Sequence, residues 1–240
     1  MLLGALFFLP APWLKGLVAV LVAAAAYEWA RLCGMQPALY GLSLGIAFFV
    51  MPPDAAWFLL AAAFWLLIAP LWLWRGVTAG HQRLLALAGV PLLLPAGLAM
   101  VALPARQVLA VLVLTWIADT TAYFAGTRWG RRKLAPSVSP GKTWEGAAGG
   151  LAGVLVYAGI MAAMAEGIAW APLLGAAALL AVLSIVGDLF ESAAKRQAAV
   201  KDSGTLLPGH GGVLDRIDSA TAVLPVAALV HAFLVSLPNP

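Results

Sequence analysis

Residues 55–74 read AAWFLLAAAFWLLIAPLWLW, a run without a single ionisable side chain. A helix of about 20 such residues crosses the roughly 30 Å hydrocarbon core of a bilayer, whereas irregular backbone cannot face lipid. The rest of the chain shares this character: of 240 residues, 63% are apolar and 10% charged, against about 45–50% and about 25% in a soluble domain. With a mean hydropathy of +0.97, too few ionic groups remain to cover a water-facing surface, which excludes a soluble globule. The only cysteine, Cys33, closes no intramolecular disulfide and builds no multi-cysteine metal cluster. No long polar or basic run exists to hold disorder or bind nucleic acid, so no nucleic-acid partner is expected.

Working outward from that run, eight stretches qualify as spans: 12–32, 38–51, 55–74, 84–103, 108–124, 147–165, 168–186 and 219–237. The expected fold is therefore all-α, a polytopic integral membrane protein of about eight transmembrane helices, within a range of seven to nine. Stretch 38–51 is short and contains Gly41, Ser43 and Gly45, so it reads either as a short span or as a re-entrant piece. Residues 2–9 are apolar but too short to cross, and they lack the basic start and cleavage site of a signal peptide. The chain reads as one membrane domain, with scaffold helices over 1–126 and the polar loops over 127–219.

Lys and Arg in short loops favour the cytoplasmic side. With eight spans, twelve of them share one side: Arg31, Arg75, Arg83, Arg128, Arg131, Arg132, Lys133, Lys142, Lys195, Arg196, Lys201 and Arg216. Only Lys15 and Arg106 fall on the other. Both long polar loops are thus expected in the cytoplasm.

The first of these loops, 127–146, reads TRWGRRKLAPSVSPGKTWEG. Its GKT is no Walker A motif, because the glycine required at position 136 is proline. Arg128 to Lys133 are explained by topology and contact with anionic head groups. SPGKT, by contrast, is a turn able to offer Ser139, Lys142 and Thr143 to phosphate oxygens.

The second loop, 184–219, reads SIVGDLFESAAKRQAAVKDSGTLLPGHGGVLDRIDS and holds five of the chain's ten carboxylates. A helix continuing to Arg196 places Asp188, Glu191 or Ser192, and Lys195 three or four residues apart on one face. Glu191 with Lys195 reads as a surface pair of about 0.3–0.5 kcal/mol. Asp188, at the hydrocarbon boundary, needs a partner or a metal. GHGG permits positive φ and close backbone approach, and His210 within it is a candidate phosphate donor, whereas His81 and His231 read as a loop residue and a helix-end residue. Asp215 and Asp218 share a helical face where the last span begins; capping is the alternative for each. Asp119 either lines a cavity or is hydrogen-bonded between helices.

Hard carboxylate oxygens select Mg²⁺ over zinc. Surrounded by Lys142, Lys195, Arg196, Lys201 and Arg216, they suit a polyphosphate with its metal. A transporter is the rival class; it predicts inverted repeats and midplane charge, and the sequence shows neither.

From Ser192 through KR (195–196), KDSG (201–204), LPGHGG (207–212) and LDRIDS (214–219), the chain resembles the bacterial membrane phosphatidate cytidylyltransferases, or CDP-diacylglycerol synthases. ADTTAYFAGTRWG (118–130), KLAPSVSPGKTWEG (133–146) and GDLFES (187–192) resemble the same family, so its motifs cover the second half of the chain. The first half matches only as hydrophobic helices. The resemblance implies CTP and phosphatidic acid as substrates, CDP-diacylglycerol and pyrophosphate as products, and a multi-pass inner-membrane homodimer whose site faces the cytoplasm. It implies Mg²⁺, with room for a second cation, at Asp188, Asp215 and Asp218. Asp188, Asp215 and Lys201 would be catalytic; Ser139, Lys142, Thr143, Ser192, Lys195, Arg196, Asp202, His210 and Arg216 would bind phosphate and substrate. A CTP-dependent polyprenol kinase, or a cytidylyltransferase for another lipid phosphate, is the alternative. The chain departs from the family in its short start, MLLGALFF, and in Thr121, where many relatives have glycine.

Overall fold

The computed structural model describes residues 2–164, 169–206, 209 and 211–236. Every expected span forms a helix. A short α1 (Leu2–Phe8) precedes α2 (Ala11–Leu32) and α3 (Pro37–Val50). Next, α4 (Ala55–Ala63) passes through a π-helical turn, Phe64–Ile68, into α5 (Ala69–Arg75). After it come α6 (Gln82–Ala102), α7 (Ala105–Trp129), α8 (Trp144–Met164), α9 (Trp170–Gln197) and α10 (Asp218–Ser236). Among the described residues, six helical segments are long and apolar enough to cross a bilayer, and α3 and α10 are shorter apolar helices. The π-helical turn sits just before Pro70, whose missing N–H interrupts the regular ladder.

Helix ends depart from the apolar boundaries in an instructive way. α7 continues to Trp129 rather than stopping near 124, and α9 runs past its apolar edge to Gln197, within one residue of the helix end expected at Arg196. Helix propagation is cooperative and does not stop where side chains turn polar, so the hydropathy edge marks the lipid boundary and not the helix terminus. Residues 127–146 are likewise not all loop. β1 (Lys133–Ala135) and β2 (Ser139–Thr143) form an antiparallel hairpin with Lys133 opposite Thr143 and Ala135 opposite Ser139. The Glu145 carboxylate fastens its base by accepting the N–H groups of Arg131 (3.0 Å) and Arg132 (3.2 Å).

Small residues set the helix spacing. Gly41 and Gly45, which left 38–51 open between a short span and a re-entrant piece, bring α3 onto α2: a Cβ at Gly41 would lie 2.7 Å from the Ala23 carbonyl, and one at Gly45 2.9 Å from Ala23 Cβ. On α8, Gly150 and Gly153 face Ala118 and Thr121 of α7; a Cβ at Gly153 would lie 2.5 Å from Thr121 Oγ1. Lipid supplies no hydrophobic drive between helices, so such close contact is what holds them. Thr121, the departure from the family pattern, fills the space in front of Gly153.

The interior beneath the site is aromatic. The Phe190 ring stands 6.2 Å from Trp29, 5.3 Å from Phe64, 5.8 Å from Trp65 and 5.6 Å from Trp72, centroid to centroid. Because Phe190 lies between Asp188 and Glu191, packing its ring fixes the rotation of α9 and hence the direction of both acids. α10 packs against α9, α6 and α4, and Gly187 lets its start approach closely, since a Cβ there would lie 2.8 Å from the Asp218 carbonyl oxygen.

Overpacking the α7–α8 seam should cost about 1–3 kcal/mol. Gly153→Val is therefore expected to lower the thermal midpoint in detergent, and Thr121→Gly in the same chain to recover part of the loss; additive effects of the two changes would show that the contact is not the cause.

Candidate active site

Two linked clusters of charge lie where α7, α9, α10 and the hairpin meet. The outer one is built on Asp188, in the first polar turn of α9. Lys142 of β2 donates to Asp188 Oδ2, and Ser192 Oγ, one helical turn on, stands 3.2 Å from Oδ1. The Asp188 and Lys142 side chains keep 27% and 26% of their surface exposed, so the pair stays open to solvent. Asp119 from α7 and Asp218 at the start of α10 lie within electrostatic reach of Asp188 and Lys142. Asp119, Lys142 and Asp188 open onto a cavity of about 450 Å³ between α7, α8, α9 and the hairpin, which Tyr123, Ser139 and Thr143 also line. Of the two readings of Asp119, the structure favours the cavity.

The inner cluster is largely buried. Lys195 Nζ bridges Glu191 Oε1 at 2.9 Å and Asp215 Oδ1 at 2.6 Å. Glu191 and Lys195 are thus not the solvated pair that their i,i+4 spacing suggests. The Glu191 side chain retains only 3% exposure, because α9 turns this face toward the 3₁₀ turn Leu214–Arg216. Asp215 Oδ2 accepts from Ser203 N, Ser203 Oγ and Gly212 N at 3.0, 3.0 and 2.9 Å. Burial works to raise the Asp215 pKa, but the Lys195 ammonium and the Gly212 and Ser203 N–H groups outweigh it and hold the carboxyl at about 2.

The remaining sequence-derived residues are spread around these clusters. Thr143 is buried, and its Oγ1 accepts the Gly146 N–H at 3.0 Å, which caps α8. Arg196 braces the hairpin against the end of α9, with Nε donating to the Val138 carbonyl at 3.2 Å and an NH group to that of Val200 at 3.3 Å. Lys201 and Asp202 are exposed on the loop after α9, and Arg216 is exposed on the 3₁₀ turn. Gly209 and Gly211 adopt φ of +74° and +81°, the left-handed backbone expected of GHGG. His210 lies outside the described residues.

Sequence reading missed Glu28 on α2. It has no exposed surface, and it accepts Val213 N at 3.0 Å, Leu214 N at 2.9 Å and Ser203 Oγ at 3.0 Å. The signal was there, since an acid inside an otherwise apolar span is a functional hypothesis by default.

Among the described residues, no three carboxylate, histidine or cysteine groups converge as a ready metal cage. Asp188, Asp215 and Asp218 do not form one nest, because Asp215 is turned into the inner cluster and its oxygens are engaged there. Mg²⁺ needs no such cage: it commonly takes one or two carboxylates and completes its shell with water and substrate phosphates. The hard oxygens of Asp188 and Asp218 fit that requirement.

The family model described as "Cytidylyltransferase family" matches residues 1–234. A phosphatidate cytidylyltransferase of Pseudomonas aeruginosa is 43% identical over 250 residues, covering 96% of this chain and 92% of that protein. Those of Haemophilus influenzae and Bacillus subtilis are 47% and 50% identical over 132 and 114 residues, about half of this chain and 45% and 42% of those proteins.

Asp215 gives the folded chain a testable acid response. Its folded pKa of about 2 lies below the ordinary 3.8, so its contribution to stability is complete above about pH 4 and is lost as pH falls toward 2. In chelator-treated detergent samples, the stability gap between the natural chain and Asp215→Asn should be constant above pH 5 and close between pH 4 and 2. A gap independent of pH would contradict this role.

Proposed function

This chain belongs to the cytidylyltransferase family, and we propose that it transfers the cytidylyl group of CTP to phosphatidic acid. An oxygen of the lipid phosphate attacks the α-phosphorus, the bond from that phosphorus to the β-phosphate oxygen breaks, and pyrophosphate leaves as CDP-diacylglycerol forms. A phosphate monoester is already anionic near neutral pH, with a second pKa of about 6, so the attack needs no strong general base. The barrier is the meeting of two anions.

The observation that carries the reading is the convergence of Lys142, brought by the hairpin, on Asp188 at the mouth of the cavity. The Lys142 ammonium is suited to receive phosphate oxygens once it leaves Asp188. Ser139 lines the same cavity and offers a hydroxyl. Three carboxylates, Asp119, Asp188 and Asp218, against one ammonium leave the outer cluster negative, unsuited on its own to polyanions. Mg²⁺ held by Asp188 and Asp218 would cancel that excess and present a cation to the triphosphate. Asp215 and Lys195 form the largely buried wall behind, while Lys201, Asp202 and Arg216, exposed after α9 and on the 3₁₀ turn, would reach the nucleotide from the aqueous side; His210 is proposed as a further phosphate donor from its place in GHGG.

The excess of Lys and Arg in the loops that carry the site supports a cytoplasmic site, where CTP is found, while the lipid enters from the bilayer. We assign the chain to the bacterial inner membrane and expect a homodimer. Protein in detergent should pass label from α-labelled CTP into the lipid phase when phosphatidic acid and magnesium are present, and label from γ-labelled CTP into pyrophosphate. Transfer of γ-label to lipid would identify a kinase instead. Asp188→Asn and Asp215→Asn should each lower turnover by about 100-fold or more while the chain still assembles; near-natural activity in either would remove that residue from the site.

A further inference from the structure

Glu28 is the one carboxylate of the described residues with no exposed surface, and none of their ion pairs involves it. A buried acid without a cation is costly unless hydrogen bonds meet it, and all three of its donors come from the two ends of one loop. Ser203 Oγ approaches from the start, and the N–H groups of Val213 and Leu214 from the finish. Backbone closes on the carboxylate from both sides because glycine stands there: a Cβ at Gly204 would lie 2.5 Å from Glu28 Oε1, and one at Gly212 2.5 Å from Oε2. Ser203 Oγ stands 3.0 Å from both Glu28 Oε2 and Asp215 Oδ2, and Asp215 Oδ1 in turn holds Lys195. A continuous chain of contacts thus runs from α2 through Glu28, Ser203 and Asp215 to Lys195 and Glu191 on α9.

We propose that Glu28 is a positioning residue for the transfer reaction: its buried carboxylate clamps Ser203 and Gly204 to Gly212, Val213 and Leu214 and thereby sets Asp215 against Lys195. Glu28 touches no substrate. Its effect passes through the geometry of Asp215, which two loop N–H groups, the Lys195 ammonium and the Ser203 hydroxyl shared with Glu28 fix in place. The proposal rests on the cytidylyl-transfer reading for its kinetic consequence, but the clamp itself does not depend on it.

Glu28→Gln keeps the shape and volume of the side chain while leaving a single acceptor oxygen for donors that now meet two oxygens. Two measurements are made on the full-length chain in detergent. In hydrogen–deuterium exchange, the variant should expose the amides of Val213 and Leu214 at least 10-fold faster than the natural chain, with α6 and α8 unchanged. In the labelled-CTP assay, corrected for the folded fraction, kcat should fall about 10- to 100-fold, as for other residues that orient a functional group, while KM for CTP and phosphatidic acid stays within threefold. Glu28→Asp, which restores both oxygens on a shorter stem, should recover part of kcat.

Ser203→Ala removes only the hydroxyl link and leaves both backbone donors on Glu28. It should lower kcat severalfold with KM unchanged, and it decides the matter if Glu28→Gln does not accumulate in folded form. Unchanged exchange at 213–214 in Glu28→Gln overturns the clamp. Natural kcat per folded molecule in Ser203→Ala or Glu28→Gln overturns the positioning role and leaves Glu28 a folding residue. If the natural chain itself transfers no label, the functional reading fails, and exchange alone then decides the clamp.

Discussion

The bridge from Lys195 to Glu191 and Asp215 is the interaction on which the site depends. It joins the polar end of α9 to the 3₁₀ turn before α10, two segments that otherwise meet mainly through the apolar helices below them. Glu191 is buried and Asp215 largely so, and removing one partner of a fully buried pair typically costs about 3–5 kcal/mol, because a desolvated charge is left behind. Such a bridge is a poor source of net stability compared with apolar packing, yet it tolerates little change of position. The aromatic packing of Phe190 against Trp29, Phe64, Trp65 and Trp72 aims Glu191 and Lys195, and the Asp215 hydrogen bonds to Ser203 and Gly212 aim the other end.

Much of this was legible in the chain. Apolar length alone yields the helices, and an acid at the hydrocarbon edge announced that Asp188 needs a partner. What the one-dimensional pattern did not contain was which partner. Lys142 lies 46 residues away on a hairpin, and nothing in the i,i+4 spacing distinguishes a solvated Glu191–Lys195 pair from a buried one. Exposure is a property of the whole bundle. Thr143 was read for its hydroxyl as a phosphate ligand, but the same hydroxyl caps α8, a role that depends on the strand ending where the helix starts. Glu28 was lost for a related reason: its half of the chain was read as scaffold, and its donors lie 175 to 186 positions further on.

Glycine has two distinct uses here, and sequence shows only its presence. In α3 and α8 it is a packing residue, where the absent Cβ lets helices touch. In the loop before α10, Gly211 takes a left-handed φ, whereas Gly204 and Gly212 make room for the Glu28 carboxylate. The same residue type thus sets both the spacing of the membrane helices and the closure of the polar loop on α2.

The two clusters differ in how their negative charge is met, and the difference divides their work. Asp215 and Glu28 are met largely by backbone N–H groups and a serine hydroxyl, donors carried by the loop itself, while Glu191 is met by Lys195. Asp188 is met by the long side chain of Lys142 and by Ser192, both free to change partner without moving the backbone. An arriving phosphate therefore finds an ammonium that can be shared, beside a framework that does not rearrange. A rigid set of dipoles costs nothing to reorganise at the moment of reaction, so the fixed donors belong behind the reacting groups and the exchangeable ammonium beside them, where this chain has placed each.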